Sequence, residues 1–113
     1  MARGFPQNAR LKTAPEFQKV FNEGRKVVGR YFVVFARPRS PGRARLGLAV
    51  GRRVGNAVRR NFLKRLIRES FRNQQDSLDG MDLVVVTRGS AAKTQRAPLF
   101  RDLAQCWGRI RRG

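Results

Sequence analysis

The spacing of apolar residues along the chain predicts three helices and three strands. Apolar side chains that recur every three to four residues indicate the helices, and short runs rich in Val, Phe and Leu indicate the strands. The order α-β-β-α-β-α favours an α+β fold, arranged as a two-layer sandwich of helices on a sheet. The predicted helices span residues 15–23, 57–74 and 98–111, and the predicted strands span residues 27–37, 46–51 and 81–87.

The predicted helix over residues 57–74 has two faces of opposite character. At about 100° per residue, one face is apolar and the other is almost entirely cationic. We therefore expect the helix to pack on the sheet and to present a ridge of cations to solvent. The apolar face carries Phe62, Leu63, Leu66, Ile67 and Phe71. The opposite face carries Asn61, Lys64, Arg65, Arg68 and Arg72.

Two features distinguish this helix from an ordinary charged surface. Glu69 is the only acid within its predicted span. Arg59 and Arg60 lie in the first turn, where the helix dipole makes cations unfavourable. An anion bound at the first-turn N–H groups would remove this conflict. We interpret the ridge as a phosphate-binding surface, and the alternative is a charged face that is merely solvated.

The overall charge favours a polyanionic partner. The chain has 26 Lys and Arg residues against 7 Asp and Glu residues and no His, which gives a formal charge of +19. Like charges at this density repel one another in the folded state unless a polyanion neutralises them, and nucleic acid is the obvious candidate. A membrane surface is less favoured, because no apolar run approaches the ~18 residues of a spanning helix.

Length and cysteine content bound the class of protein further. The 113 residues suit one domain, in which residues 1–12 form a predicted basic, partly ordered arm without a signal-peptide core. Cys106 is the only cysteine. It excludes an intramolecular disulfide and fits a reducing cytoplasm, so we expect it to pack in the core or at its boundary.

Aromatic residues predict a possible groove for single-stranded nucleic acid. Phe17 and Phe21 are four residues apart on the first predicted helix and are therefore neighbours. In the first predicted strand, Tyr31, Val33 and Phe35 share one face. Aromatic rings near cations bind single strands by base stacking, but the alternative is that these rings are simply core.

Small residues line one face of the second predicted strand. Gly47, Ala49 and Gly51 alternate with larger residues, so the backbone of a partner could approach closely there. The alternative is a helix that packs tightly on the sheet.

The sequence contains no set of residues with the types and spacing of a catalytic or metal-binding site. It has no His, and one Cys cannot form a zinc site. Asp76, Asp79 and Asp82 surround one predicted loop, where we expect them to balance local charge rather than to bind a metal. Phosphate-binding loops of the GxxxxGK[ST] and GxGxxG types are also absent. We therefore predict no catalytic residue and no metal ligand.

The central segment resembles the signature of bacterial ribonuclease P proteins. This segment is VGNAVRRNFLKRLIRESFR, residues 54–72. The resemblance extends to RL at 10–11, FQKVFNEG at 17–24, RYFVVF at 30–35, LGLAVGRR at 46–53 and DLVVVTR at 82–88. The last predicted helix agrees in placement only.

The resemblance implies a fold, a reaction and partners. The fold would be like that of the second domain of ribosomal protein S5, with a left-handed βαβ crossover. A catalytic RNA subunit would carry the active site and its Mg²⁺ ions, and would release the 5′ leader of precursor tRNA by hydrolysing a phosphodiester. The protein would bind that RNA and the leader, with no cofactor of its own, no membrane contact and no obligate protein partner.

The resemblance also implies roles for particular residues. A leader groove would be lined by Phe17, Phe21 and Phe35, with Arg52 and Arg53 near its rim. The catalytic RNA would be contacted by Arg60, Asn61, Lys64, Arg65 and Arg68.

One position departs from the family pattern. The family usually has Arg-Asn-Arg, and Phe62 stands at the third of these positions. Either one RNA contact is absent, or Arg59 supplies a cation from the neighbouring turn, so Arg59 is included among the candidate RNA-binding residues and Phe62 is not. Two other functional hypotheses stay open: a structural RNA-binding protein of ribosomal type, and an autonomous nuclease or DNA-binding protein.

Overall fold

A four-stranded sheet with helices on both faces forms the fold of the computed structural model, which describes residues 10–39 and 42–112. The strand order is β1-β2-β4-β3. Short 3₁₀ turns occur at Arg52–Val54, Gln75–Leu78 and Gly89–Ala91. The helices are α1 (Ala14–Glu23), α2 (Ala57–Gln74) and α3 (Arg96–Arg112), and the strands are β1 (Arg25–Val28), β2 (Phe32–Pro38), β3 (Arg45–Ala49) and β4 (Met81–Thr87).

The pairing of β4 with its neighbours confirms the predicted α+β class. β4 is antiparallel to β2, with Val85 opposite Val34, and parallel to β3, with Val85 opposite Leu48. Parallel strands need a crossover connection, which is usually a helix, and α2 lies between β3 and β4 along the chain. The predicted β-α-β connection is therefore present, and its left-handed sense stays a prediction.

The first predicted strand, 27–37, is instead two strands joined by a tight turn at residues 29–31. The cause is a carboxylate far away along the chain. Asp102 on α3 accepts hydrogen bonds from the backbone N–H groups of Arg30, Tyr31 and Phe32 at 3.0, 2.9 and 3.2 Å. A Cβ atom on Gly29 would lie only 2.7 Å from Asp102 Oδ2, so the turn also needs a glycine. The observed order is α-β-β-β-α-β-α, one strand more than predicted.

The main core lies between the sheet and helices α2 and α3. Trp107 is fully buried there, and its Nε1 donates a hydrogen bond to Ser70 Oγ at 2.8 Å. Cys106 is also buried, as predicted, and this burial raises the pKa of its thiol to about 11. The thiol is therefore a packing group.

Helix α1 covers part of the opposite face of the sheet, which adds a partial third layer to the predicted two. Thr13 caps α1: its side chain accepts from Glu16 N, and Glu16 Oε1 accepts from Thr13 N, a capping box. Val20 packs there with Val84 of β4.

The end of the predicted basic arm lies against the sheet. Leu11 is buried, and its N–H donates to the carbonyl oxygen of Leu46 at 3.0 Å. Residues 1–9 lie outside the described residues, so the single domain over 1–113 and the character of the arm stay predictions.

The acids of the 76–82 region balance local charge, as predicted. Asp82 pairs with Arg45 at 2.9 Å and with Arg39 at 2.7 Å. Asp76 pairs with Arg43, and Asp79 accepts from a backbone N–H. Within residues 10–39 and 42–112, no group of three or more His, Cys, Asp or Glu side chains is placed to hold a metal ion.

We expect Asp82→Asn to lower the free energy of unfolding at pH 7 by about 3 kcal/mol, because it removes the carboxylate shared by two partly buried arginines and leaves Arg45 only its longer pair with Glu16 at 3.3 Å among the described residues. Burial alone would raise the pKa of Asp82, but Arg45 and Arg39 outweigh it and bring the pKa below its ordinary value. A depressed carboxylate pKa stabilises the fold above about pH 3.9, and this stabilisation disappears as the pH falls through the folded-state pKa.

The difference between wild type and Asp82→Asn should therefore shrink in urea unfolding experiments as the pH is lowered below about 4. Asp76→Asn is the matched control, since its carboxylate is 92% exposed and should contribute less than about 0.5 kcal/mol. Equal losses for the two variants would contradict this account of the pair.

Candidate RNA-binding surfaces

The first turn of α2 carries two half-buried arginines, Arg59 and Arg60, and no acid. Asn56 caps the helix by accepting from the backbone N–H of Arg59 at 3.0 Å. Because the Asn56 side chain already binds one first-turn N–H, an anion here would be held mainly by the guanidinium groups of the arginines.

The cationic face of α2, which we call the cation ridge, consists of Arg60, Lys64, Arg65 and Arg68. Among the described residues no ion pair includes any of these four side chains. Arg65 is exposed, the other three are half-buried, and the neighbouring Asn61 is exposed. The acids of the described chain thus leave the ridge unneutralised, as expected of a surface for a polyanion.

The ridge continues into a basic corner beside the edge strand β3. Lys64 and Arg68 line a cavity of about 210 Å³ together with Arg10, Lys12 and Phe17. Burial and the charges of Arg10 and Arg72 lower the pKa of Arg68. Cations held this close to one another favour an anion between them. Sequence periodicity assigned Lys64 and Arg68 to the ridge, but it gave no sign of Arg10 and Lys12.

Arg59 has a structural role that sequence reasoning missed. Its Nη2 donates to the carbonyl oxygens of Ala91 and Thr94 at 2.8 and 2.5 Å. Its guanidinium carbon lies 4.9 Å from the centre of the Phe62 ring, within cation–π range. Arg59 therefore fastens α2 to the loop after β4. The three-residue spacing of Arg59 and Phe62 was the available signal, and RNA contact by Arg59 stays a prediction.

Three predicted groove residues form one aromatic cluster, Phe17, Phe21 and Phe35, on the α1 face of the sheet. The ring centres of Phe17 and Phe21 are 6.4 Å apart, and those of Phe21 and Phe35 are 5.0 Å apart, edge to face. All three rings are half-buried. Tyr31 does not join them, because it lies in the hairpin turn and packs against the main core.

The small residues in and after β3 differ in their surroundings, and the close approach of a partner's backbone stays a prediction. A Cβ atom on Gly47 would lie 2.7 Å from Phe17 Cζ, so tight helix packing explains this glycine. Nothing lies within 4 Å of a Cβ atom on Gly51. Helix α1 therefore covers the sheet at Gly47, and the chain just after β3 is open at Gly51.

An open concavity of about 760 Å³ lies at the ends of β3 and β4, which we call the β3–β4 concavity. Ala49, Gly51 and Val86 form part of its lining, and Arg53 and Arg88 bring cations to it. Val86 packs against the same buried residues as the three rings, Leu11, Val20 and Val84, so the concavity adjoins the aromatic cluster. Arg52 is exposed on the adjoining turn, and sequence analysis missed Arg88, a cation at the end of an apolar strand.

The sequence matches the family model described as Ribonuclease P over residues 5–111. The ribonuclease P protein component of Pseudomonas aeruginosa is 40% identical, over 99% of this chain and 84% of its own length. The ribonuclease P protein component of Halorhodospira halophila is 44% identical, over 95% of this chain and 89% of its own length. The chain belongs to the ribonuclease P protein family.

Solved ribonuclease P proteins have the same fold as this chain. The RNase P protein of Staphylococcus aureus has a TM-score of 0.85 and 30% identity, over 90% of this chain and 94% of that one. The RNase P protein of Thermotoga maritima has a TM-score of 0.80 and 34% identity, over 89% of this chain and 96% of that one. The sequence resembles the family over residues 10–90, and the structure is similar to these proteins over nearly the whole chain.

Among the described residues of this ribonuclease P family member, no helix is long and apolar enough to cross a bilayer.

Proposed function

We propose that this chain is the accessory protein of a ribonuclease P holoenzyme that removes the 5′ leader of precursor tRNA. The cation ridge binds the catalytic RNA, and the aromatic cluster with the β3–β4 concavity holds the leader. The RNA subunit performs the hydrolysis with its Mg²⁺ ions, and this chain contributes no catalytic residue and no metal ligand. The holoenzyme works in the cytoplasm and needs no membrane and no further protein.

The observation that carries the proposal is the absence of acidic partners along the cation ridge in the described part of the chain. An ordinary charged helix mixes signs and gains from pairs three or four residues apart. Here no carboxylate of the described residues pairs with the like charges of the ridge, so phosphate binding would reduce the repulsion between them. Release of condensed counterions from the RNA drives that binding.

The leader site rests on the combination of rings, cations and open sheet. The half-buried rings of the aromatic cluster offer flat apolar surfaces, each able to stack a base for about 1–3 kcal/mol. Arg53 and Arg88 line the adjoining concavity, where they can contact the phosphates of the same strand. Stacking of this kind tolerates any base, as a protein that processes many precursors requires.

Reconstitution tests the proposal most directly. We expect the chain to restore 5′ maturation of precursor tRNA by a ribonuclease P RNA at a low Mg²⁺ concentration at which the RNA alone is inactive. The double variant Arg60→Gln/Arg65→Gln is the control, since it keeps polar side chains with good helix propensity and removes two ridge charges. It should bind the RNA more weakly, with a salt slope reduced by about 0.7–0.9 per lost contact.

Two outcomes would contradict the proposal. Tight RNA binding without any gain in maturation, or with no preference for precursor over mature tRNA, would indicate an RNA-binding protein of ribosomal type. Cleavage by the purified chain without any RNA subunit would instead indicate an autonomous nuclease.

A further inference from the structure

The exposed side of α3 carries a concentration of cations that belongs neither to the cation ridge nor to the leader site. We call it the α3 arginine face: Arg101, Arg109, Arg111 and Arg112, all of them exposed. They surround a shallow concavity of about 430 Å³, whose floor includes Ala104 and Gly108. The opposite side of α3 is the one that packs into the core, through Leu103 and Trp107.

The hydrogen bonds of this region run to neutral groups. Arg25 donates to the carbonyl oxygen of Arg109 at 2.9 Å, and Arg109 donates to that of Val28 at 2.9 Å. Arg111 donates to the side-chain oxygen of Gln74. These bonds position the guanidinium groups but neutralise no charge.

The acids of the described chain are committed elsewhere. The one ion pair of α3 within residues 10–39 and 42–112 joins Arg96 to Glu69, at the opposite end of the helix. Asp102 is the acid nearest along the helix, and its carboxylate is occupied by three backbone N–H groups of the β1–β2 turn. The α3 arginine face is therefore a second unneutralised surface.

Helix stability explains only part of this arrangement. Cations in the last turn of a helix interact favourably with its dipole, which accounts for Arg109, Arg111 and Arg112. Arg101 lies well before the last turn, so the dipole gives no reason for a cation there.

Gly108 shows how the arginines of this face lie on the helix. A glycine inside a helix costs about 1 kcal/mol relative to alanine. Internal packing does not require it, because a Cβ atom there would lie 3.4 Å from Arg112 Nη1, an ordinary contact with the end of a flexible side chain. Gly108 is itself buried, with the guanidinium groups of Arg111 and Arg112 over it, so a ligand at this face would meet the guanidinium groups rather than the helix backbone.

We propose that the α3 arginine face binds the phosphodiester backbone of RNA, as a site separate from the cation ridge and the leader site. Guanidinium groups bind phosphate through paired hydrogen bonds, and the four arginines of this face are exposed to bind one. The RNA is either the catalytic RNA or the body of the precursor tRNA, which share this chemistry. The proposal rests on the chain acting within a ribonucleoprotein, but not on the assignment of the ridge or the leader site.

The test compares two double variants that carry the same net charge. Arg101→Gln/Arg112→Gln removes two charges from the α3 arginine face. Arg43→Gln/Lys19→Gln, the matched control, removes two exposed charges from elsewhere. Urea unfolding confirms that each variant is folded, and binding is then measured against salt concentration in two arms: chain with catalytic RNA, and reconstituted holoenzyme with precursor tRNA.

We expect the α3 variant, relative to the control, to reduce the salt slope by about 1.4–1.8 in one arm, for two contacts. A reduction in the first arm identifies the catalytic RNA as the ligand, and a reduction only in the second identifies the precursor tRNA. Equal slopes for the two variants in both arms would overturn the proposal and leave the arginines a role in helix stability alone. The ridge variant Arg60→Gln/Arg65→Gln, measured alongside, shows separately whether the proposed function fails.

Discussion

Trp107→Ala is expected to lower the free energy of unfolding by about 3–5 kcal/mol. The indole is fully buried between α3 and α2, with its ring centre 6.1 Å from that of Phe71. Alanine would leave a cavity in the main core and would also leave the buried hydroxyl of Ser70 without its donor. A loss of this size is a large fraction of the stability of a small domain.

Circular dichroism in urea is the appropriate measurement, because Trp107 is the only tryptophan and its removal abolishes the fluorescence signal. Trp107→Phe is the control, since it keeps an aromatic ring and loses the hydrogen bond, and it should cost about 1–2 kcal/mol. A loss below about 1 kcal/mol for Trp107→Ala would mean that α3 is only loosely attached to the rest of the fold.

The elements that depend on local pattern were predictable from sequence. α2 spans the residues predicted for it, because a wide apolar face and a cationic face repeat at the helical period and Asn56 caps its start. β4 likewise matches its predicted range, since the apolar run at residues 83–86, bounded by polar loops, has few alternatives. The burial of Trp107 follows from the same periodicity in α3.

The features that sequence could not supply depend on contacts between distant residues. Nothing near Gly29 indicates that the carboxylate of Asp102 will hold the β1–β2 turn. The attachment of Arg59 to the loop after β4 is also distant along the chain. Gly47 was compatible with both a partner's backbone and a packed helix, and only the position of Phe17 decides between them.

The double variant Phe17→Leu/Phe21→Leu is expected to reduce the preference of the reconstituted holoenzyme for precursor over mature tRNA. Leucine keeps much of the apolar bulk that packs over Gly47 and Phe35, but it has no flat π surface for a base. Each lost stack is worth about 1–3 kcal/mol, so a single lost stack should weaken precursor binding by roughly 5- to 150-fold. Binding of mature tRNA, which lacks the leader, should not change.

Competition between precursor and mature tRNA at one salt concentration measures this preference. Phe71→Leu is the matched control, because Phe71 belongs to the main core rather than to the aromatic cluster. The control should lose stability yet keep the preference, since no base reaches its ring. If the double variant is folded and discriminates between the two RNAs as well as wild type does, the aromatic cluster is only core, and the leader must bind elsewhere.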